Sequence, residues 1–251
     1  MNWKYAVHTI SWGNERIETI VREVSEAGYT GAELFQHPSE LGGASVIESA
    51  FRRHGVELVG IASGSFRERC DLVKELAEIR GTSLNDPCLP YVDCDDWRED
   101  LPQFKAAVAT GLRVAIHPHM YRPVQNLQEA ETILERNRSL FFLPDTAHLQ
   151  VAGHDPVMAI RKLAGRLAGV HLKSWREDVG RSFHFYARGF CELGEGDVDV
   201  HAVLEELRRL SFTGWLIVEL DSTNTPAETA KTSLNWLKAA EKTIEQQGAC
   251  R

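Results

Sequence analysis

Short apolar segments rich in β-formers recur along the chain, and amphipathic stretches separate them. The segments are YAVHTI (5–10), GAELF (31–35), VELVGI (56–61), TSLND (82–86), LRVAIH (112–117), LFFLPD (140–145), AGVHLK (168–173) and WLIVEL (215–220). Their ends follow one another at 25 to 31 residues until the last, which comes after 47. Runs of this length predict buried strands. Between them, IETIVREVSEAG (17–28) places Ile17, Ile20, Val21, Val24 and Ala27 on one helical face. VIESAFRRHG (46–55), LQEAETILERN (127–137), DPVMAIRKLAG (155–165) and VHAVLEELRRL (200–210) have the same periodicity. Gly28, Gly55, Gly111 and Gly165 stand where left-handed caps would end helices.

Strand, helix and strand at this spacing predict βαβ units and a parallel sheet. Eight such units on 251 residues predict an α/β fold closed as a (β/α)8 TIM barrel, one domain over residues 1–251. The alternative, an open doubly wound sheet, lacks its GxGxxG signature. TSLND is the least apolar of the eight segments. The stretch 174–199, SWREDVGRSFHFYARGFCELGEGDVD, is unusually long. In a barrel it starts on the catalytic face, as do 122–126 and 222–226.

Composition narrows the function classes. There are 28 Lys and Arg against 36 Asp and Glu, a net charge of −8, which argues against a nucleic-acid partner. No run approaches the ~20 apolar residues of a membrane span. The N-terminus has no apolar leader core. Five cysteines, odd in number and without CxxC pairing, suit reduced thiols and a cytoplasmic location rather than a disulfide framework.

Barrel active sites gather at the C-terminal ends of the strands. There the second strand carries Glu33. IHPH brings His117 and His119, PDTAH brings Asp145 and His148, VHLK brings His171 and Lys173, and LIVEL brings Glu219. Singly, each has an ordinary explanation: a satisfied strand-end histidine, a core ion pair, a solvated rim lysine. Jointly, four consecutive strands deliver His117, Asp145, His171 and Glu219 at nearly one height. Mixed imidazole and carboxylate ligation suits one divalent ion such as Mn²⁺, Co²⁺, Zn²⁺ or Fe²⁺. Asp221 shares the strand parity of Glu219 and is placed to support it. His184, in the long loop, is expected at the surface.

At these residues the chain resembles the xylose-isomerase-like sugar phosphate isomerase/epimerase superfamily of TIM barrels. The likeness rests on EAGYTGAEL (26–34), HGVELVGI (54–61), IHPHM (116–120), DTAH (145–148), GVHLKSW (169–175), LGEGDVDV (193–200) and GWLIVELD (214–221). IHPH, LGEGDVD and GWLIVELD together look most like the myo-inosose dehydratase branch. The resemblance implies one divalent metal, Mn²⁺ first and Mg²⁺ among the substitutes, held by Asp145, His171, Glu219 and a fourth ligand. Many epimerases have Glu where this chain has His117. The dehydratase-like pattern has Asp where it has Ser174, and the stretch 80–93 is also unusual.

The resemblance further implies metal-assisted enolisation of a small sugar or polyol, ending in epimerisation, isomerisation or loss of a β-hydroxyl. Glu219, His148 and Lys173 are the candidate catalytic groups. Glu33, His119 and Arg188 are the candidate substrate contacts, and His119 could instead orient His117. The expected partners are that substrate and, for assembly, a homodimer or higher homo-oligomer. Two other functions fit the fold: a metal-dependent phosphodiesterase of the endonuclease kind, and a non-catalytic barrel with a binding role.

Overall fold

The structure, a computed structural model, describes residues 1–83, 89–92, 97–182 and 186–249. His184, Cys88, Cys94, Cys250 and part of the stretch 80–93 lie outside the described residues. In chain order the strands are β1 (Lys4–His8), β2 (Gly31–Leu34), β3 (Glu57–Ile61), β4 (Leu89–Val92), β5 (Ala115–Ile116), β6 (Phe141–Phe142), β7 (Gly169–Leu172), the short β8 (Ser174–Trp175) and β9 (Phe190–Cys191), and β10 (Trp215–Val218). Seven of them plus β10 form one parallel sheet in the order β6-β5-β4-β3-β2-β1-β10-β7. Parallel bridges from Phe142 to Leu167 and from Asp145 to His171 join the two outer strands. The sheet therefore closes, and the (β/α)8 TIM barrel expected from the spacing is the fold.

Helices α1 (Ile17–Ala27), α2 (Ala44–His54), α3 (Phe66–Arg80), α4 (Trp97–Ala109), α5 (Leu127–Arg136), α6 (Thr146–Val151), α7 (Pro156–Lys162), α8 (Glu177–Ser182), α9 (Val200–Arg209) and α10 (Pro226–Ala249) accompany the strands. The stripe predicted for α1 is the buried one, with Ile17, Ile20, Val21 and Val24 inside. Gly28 closes this helix at φ +96°, a conformation that costs a residue with a Cβ. Gly165 does not play that part. It lies inside a 3-10 turn (Ala164–Arg166), and Leu163 ends α7. No described helix is long and apolar enough to cross a membrane.

The fourth strand is a correction. It is Leu89–Val92, which pairs Leu89 with Gly60 and Tyr91 with Ala115. Thr82 and Ser83 are outside it, and 84–86 lie outside the described residues. LPYV is the better β segment by side chain, but Pro90 cannot donate to a ladder and makes it read as a break.

The apolar residues divide into two clusters. The larger packs helices on the outside of the sheet. The smaller consists of Ala6, Val59, Ala62, Ala115, Leu143, Ala168 and Ile217 and lies within the barrel. Four of these small-cluster residues set the site. Side chains two apart on a strand share a face, so the positions after Ala6, Ala115, Leu143 and Ile217 that point inward are His8, His117, Asp145 and Glu219. An apolar layer thus carries a polar layer directly above it.

Candidate active site

The polar layer is buried. Glu33, Asp145, His171 and Lys173 are inaccessible, and His8, His117, His148 and Glu219 nearly so. His171 is the hub. Its Nδ1 lies 2.5 Å from Glu219 Oε2 and its Nε2 lies 2.6 Å from Glu33 Oε2. Burial alone would lower its pKa, but the flanking carboxylates Glu33 and Glu219 raise it to about 10. Lys173 Nζ lies 2.8 Å from Glu219 Oε1 and also pairs with Asp221. Burial opposes its charge, but Glu219, Asp221 and Asp145 outweigh it and keep the ammonium charged. Burial likewise opposes the charge of Glu219. Lys173, His8 and His171 overcome this and hold its pKa well below the usual carboxylate range.

Asp145 sits differently. Burial, reinforced by Glu219, pushes its carboxyl up to about 7 against the pull of Lys173. Its Oδ1 accepts the His148 backbone N–H at 2.8 Å and caps α6. Its Oδ2 is buried without a hydrogen-bond partner among the described residues, as is His148 Nε2, 3.9 Å away. Two buried, facing and unsatisfied polar atoms are costly and point to a group that joins them.

Asp145 belongs to two sets of donor atoms close enough to share an ion: His117, Asp145 and His148, and Asp145, His171 and Glu219. The four residues expected to form one set are therefore split between two overlapping ones. Hydrogen bonds separate the two histidines. His117 Nδ1 faces the Leu143 carbonyl at 3.1 Å. A carbonyl only accepts, so this nitrogen carries the proton and Nε2 presents a lone pair. His148 Nδ1 faces the Met120 backbone N–H at 3.5 Å, which only donates. The proton of neutral His148 then sits on Nε2. Burial keeps both imidazoles neutral. The ring of His117 is dressed as a ligand, that of His148 as a hydrogen-bond donor. In donor chemistry His117, Asp145, His171 and Glu219 suit a divalent ion, His171 on loss of the proton it shares with Glu219.

The remaining candidates are placed as follows. Glu33 is buried against His171, close enough to fix the orientation of its ring. His119 is half-buried, donates Nδ1–H to the Met120 carbonyl at 2.7 Å and packs on His148 at 3.9 Å between ring centroids. Arg188 is exposed on the 3-10 turn 186–189 that precedes β9.

Two residues join the site without having been singled out by the sequence pattern. His8, at the end of β1, lies 5.6 Å from the His171 ring; strand parity carries its signal. Phe190, in the long loop, lies over Lys173 Nζ at 3.9 Å and edge-on to His148 at 5.5 Å; nothing local in the sequence marks it.

Residues 70–240 match the xylose isomerase-like TIM barrel family. The chain belongs to this family. Among similar proteins, the inosose dehydratase of Clostridium tetani (strain Massachusetts / E88) is 30% identical over 58% of this chain and 51% of its own. This chain's match thus spans about half of that relative. The inosose dehydratase of Mesomycoplasma hyopneumoniae (strain 7448) is 24% identical over 95% of this chain and 96% of its own. Among solved structures, a probable 3-DHS dehydratase from Bacillus anthracis involved in petrobactin synthesis superposes with a TM-score of 0.72 at 18% identity, covering 94% of this chain and 98% of that one. At that identity the likeness concerns the family's fold. The barrel's polar layer, in turn, is the part of this family member that chemistry must explain.

Proposed function

We propose that this chain is a divalent-metal-dependent dehydratase of a cyclic keto-polyol, of the inosose type. The observation that carries the reading is the buried, unsatisfied carboxylate of Asp145, shared by two overlapping donor sets, one with His117 and one with His171 and Glu219. These four residues would hold the ion, with Mn²⁺ the first choice. A bound divalent ion supplies Lewis-acid polarisation of a ketone, which acidifies the neighbouring C–H.

The chain's own residues do the rest. Glu219, held ionised by Lys173, accepts the α-proton. Glu33 fixes the ring of His171. His148 aims its Nε2–H at a substrate oxygen, and His119 supports it from behind. Arg188 contacts substrate from the long loop. The α C–H bond breaks toward the Glu219 carboxylate, and its electron pair forms the enediolate. That pair then becomes a C=C bond to the β-carbon as the β-hydroxyl leaves, taking the proton back from Glu219 as water. The enol product tautomerises to a 1,2-diketone.

His117 favours elimination among the three outcomes. Epimerisation needs proton exchange on both faces of one carbon, and the resemblance places a second glutamate where this chain has a neutral imidazole. One carboxylate suffices for a proton taken and returned on one face. The two dehydratase relatives support the same choice.

The test is direct. Incubated with 2-keto-myo-inositol and Mn²⁺, the protein should generate the ultraviolet absorbance of the conjugated enolone, and excess chelator should abolish it. A chain that exchanges the α-proton with deuterated solvent but releases no water would be an epimerase or isomerase. One that does neither would overturn the reading.

A further inference from the structure

Six rings run in an unbroken row across the mouth of the barrel: Phe35, His8, His171, His117, His148 and Phe190. Neighbouring centroids are 5.5, 5.6, 4.9, 6.1 and 5.5 Å apart in that order. The four imidazoles are buried, whereas the terminal phenyls are open to solvent, Phe35 at 38% and Phe190 half-buried. A molecule seated over the imidazoles meets nitrogen and carboxylate donors beneath it and an apolar face at either end.

Both phenyls stand on anchored backbone. Phe190 pairs with Trp175 across the β8–β9 ribbon. Trp175 is fully buried, and a Cβ at Gly180 or Gly189 would come within 2.5 or 2.4 Å of its indole nitrogen. The loop is thus wrapped tightly on that indole, directly beside Phe190. Phe35 follows β2, and its backbone N–H donates to Thr9 Oγ at 3.0 Å. Thr9 in turn donates to Gln36 at 2.7 Å. Walls whose backbone is anchored in this way select by shape at a lower ordering cost when a ligand arrives.

We infer that Phe35 and Phe190 are specificity-determining residues that select a ring-shaped polyol over an open-chain one. This inference rests on the functional reading above. A cyclic polyol directs its hydroxyls outward and presents compact C–H faces, which pack on aromatic rings. An open-chain polyol of the same size carries oxygens along its whole length and presses some of them, dehydrated, against the phenyls.

The experiment is calorimetric titration of the Mn²⁺-loaded protein with myo-inositol and with D-glucitol, for the unaltered chain, Phe35→Ala and Phe190→Ala. The unaltered chain should prefer myo-inositol. Each substitution should weaken myo-inositol about fivefold and change D-glucitol less than about twofold. Equal weakening of both polyols, or no weakening of either, overturns the inference and leaves the dehydratase reading standing. An unaltered chain that binds neither polyol, or that prefers D-glucitol, also overturns the inference, while the dehydratase reading stands or falls on the enolone assay. Phe35 is exposed and its removal costs little packing, so Phe35→Ala decides the matter even if Phe190→Ala fails to fold.

Discussion

Glu219→Gln should abolish dehydration, with kcat/KM falling by roughly a thousandfold or more. Two losses combine. The proposed base for the α-proton is gone, because an amide has no comparable basicity. An anionic donor to the proposed ion is also replaced by a neutral carbonyl. The substitution is nearly isosteric, so the barrel should survive it, and circular dichroism should be unchanged. Lys173 keeps Asp221 as a partner, which limits the structural damage. Steady-state kinetics with 2-keto-myo-inositol measures the effect. A variant within about tenfold of the parent would remove Glu219 from the chemistry.

Lys173→Ala should be the most destabilising single change in the site. Its ammonium is inaccessible and stands between Glu219 and Asp221. Removing it leaves two carboxylates facing a cavity, and breaking a buried pair in this way costs about 3–5 kcal/mol. Asp221 retains some solvent, with 30% of its side chain exposed, which places the expected loss near the lower end, about 3 kcal/mol. Urea denaturation of the metal-free protein measures it. Saturating Mn²⁺ should restore part of the loss, because a ligand that binds only the folded state stabilises it and its charge replaces that of the ammonium. A shift below about 1 kcal/mol would show that Lys173 is a solvated rim residue.

The C-terminal strand ends make most of the candidate site legible in the sequence, and strand parity explains why. Once the chain is read as a closed barrel, the residues two positions beyond an interior residue must point into its mouth. That rule reaches His117, Asp145 and Glu219 directly. Applied to VH in YAVHTI it would also have reached His8. It says nothing about which nitrogen of a histidine carries the proton. The distinction between His117 and His148 depends on a carbonyl from one strand and an N–H from another loop, contacts that exist only after folding. Phe190 is invisible for a similar reason: its place over Lys173 goes with the packing of Trp175 against Gly180 and Gly189 of the same loop. The fourth strand was hidden by Pro90, which cannot donate to a ladder and argues against a central strand in sequence, although β4 is paired on both sides. Helix α3 went unassigned although Ser65 and Glu68 form a capping box at its start, a signal that lies before the apolar positions rather than among them.

The central claim is that His117, Asp145, His171 and Glu219 hold one divalent ion. Elemental analysis of the protein, reconstituted with Mn²⁺ and freed of excess metal by gel filtration, tests it most directly. One ion per chain is expected for the unaltered protein and a small fraction of that for Glu219→Gln. A chain that retains no stoichiometric ion, or a Glu219→Gln variant that retains it undiminished, would contradict the account.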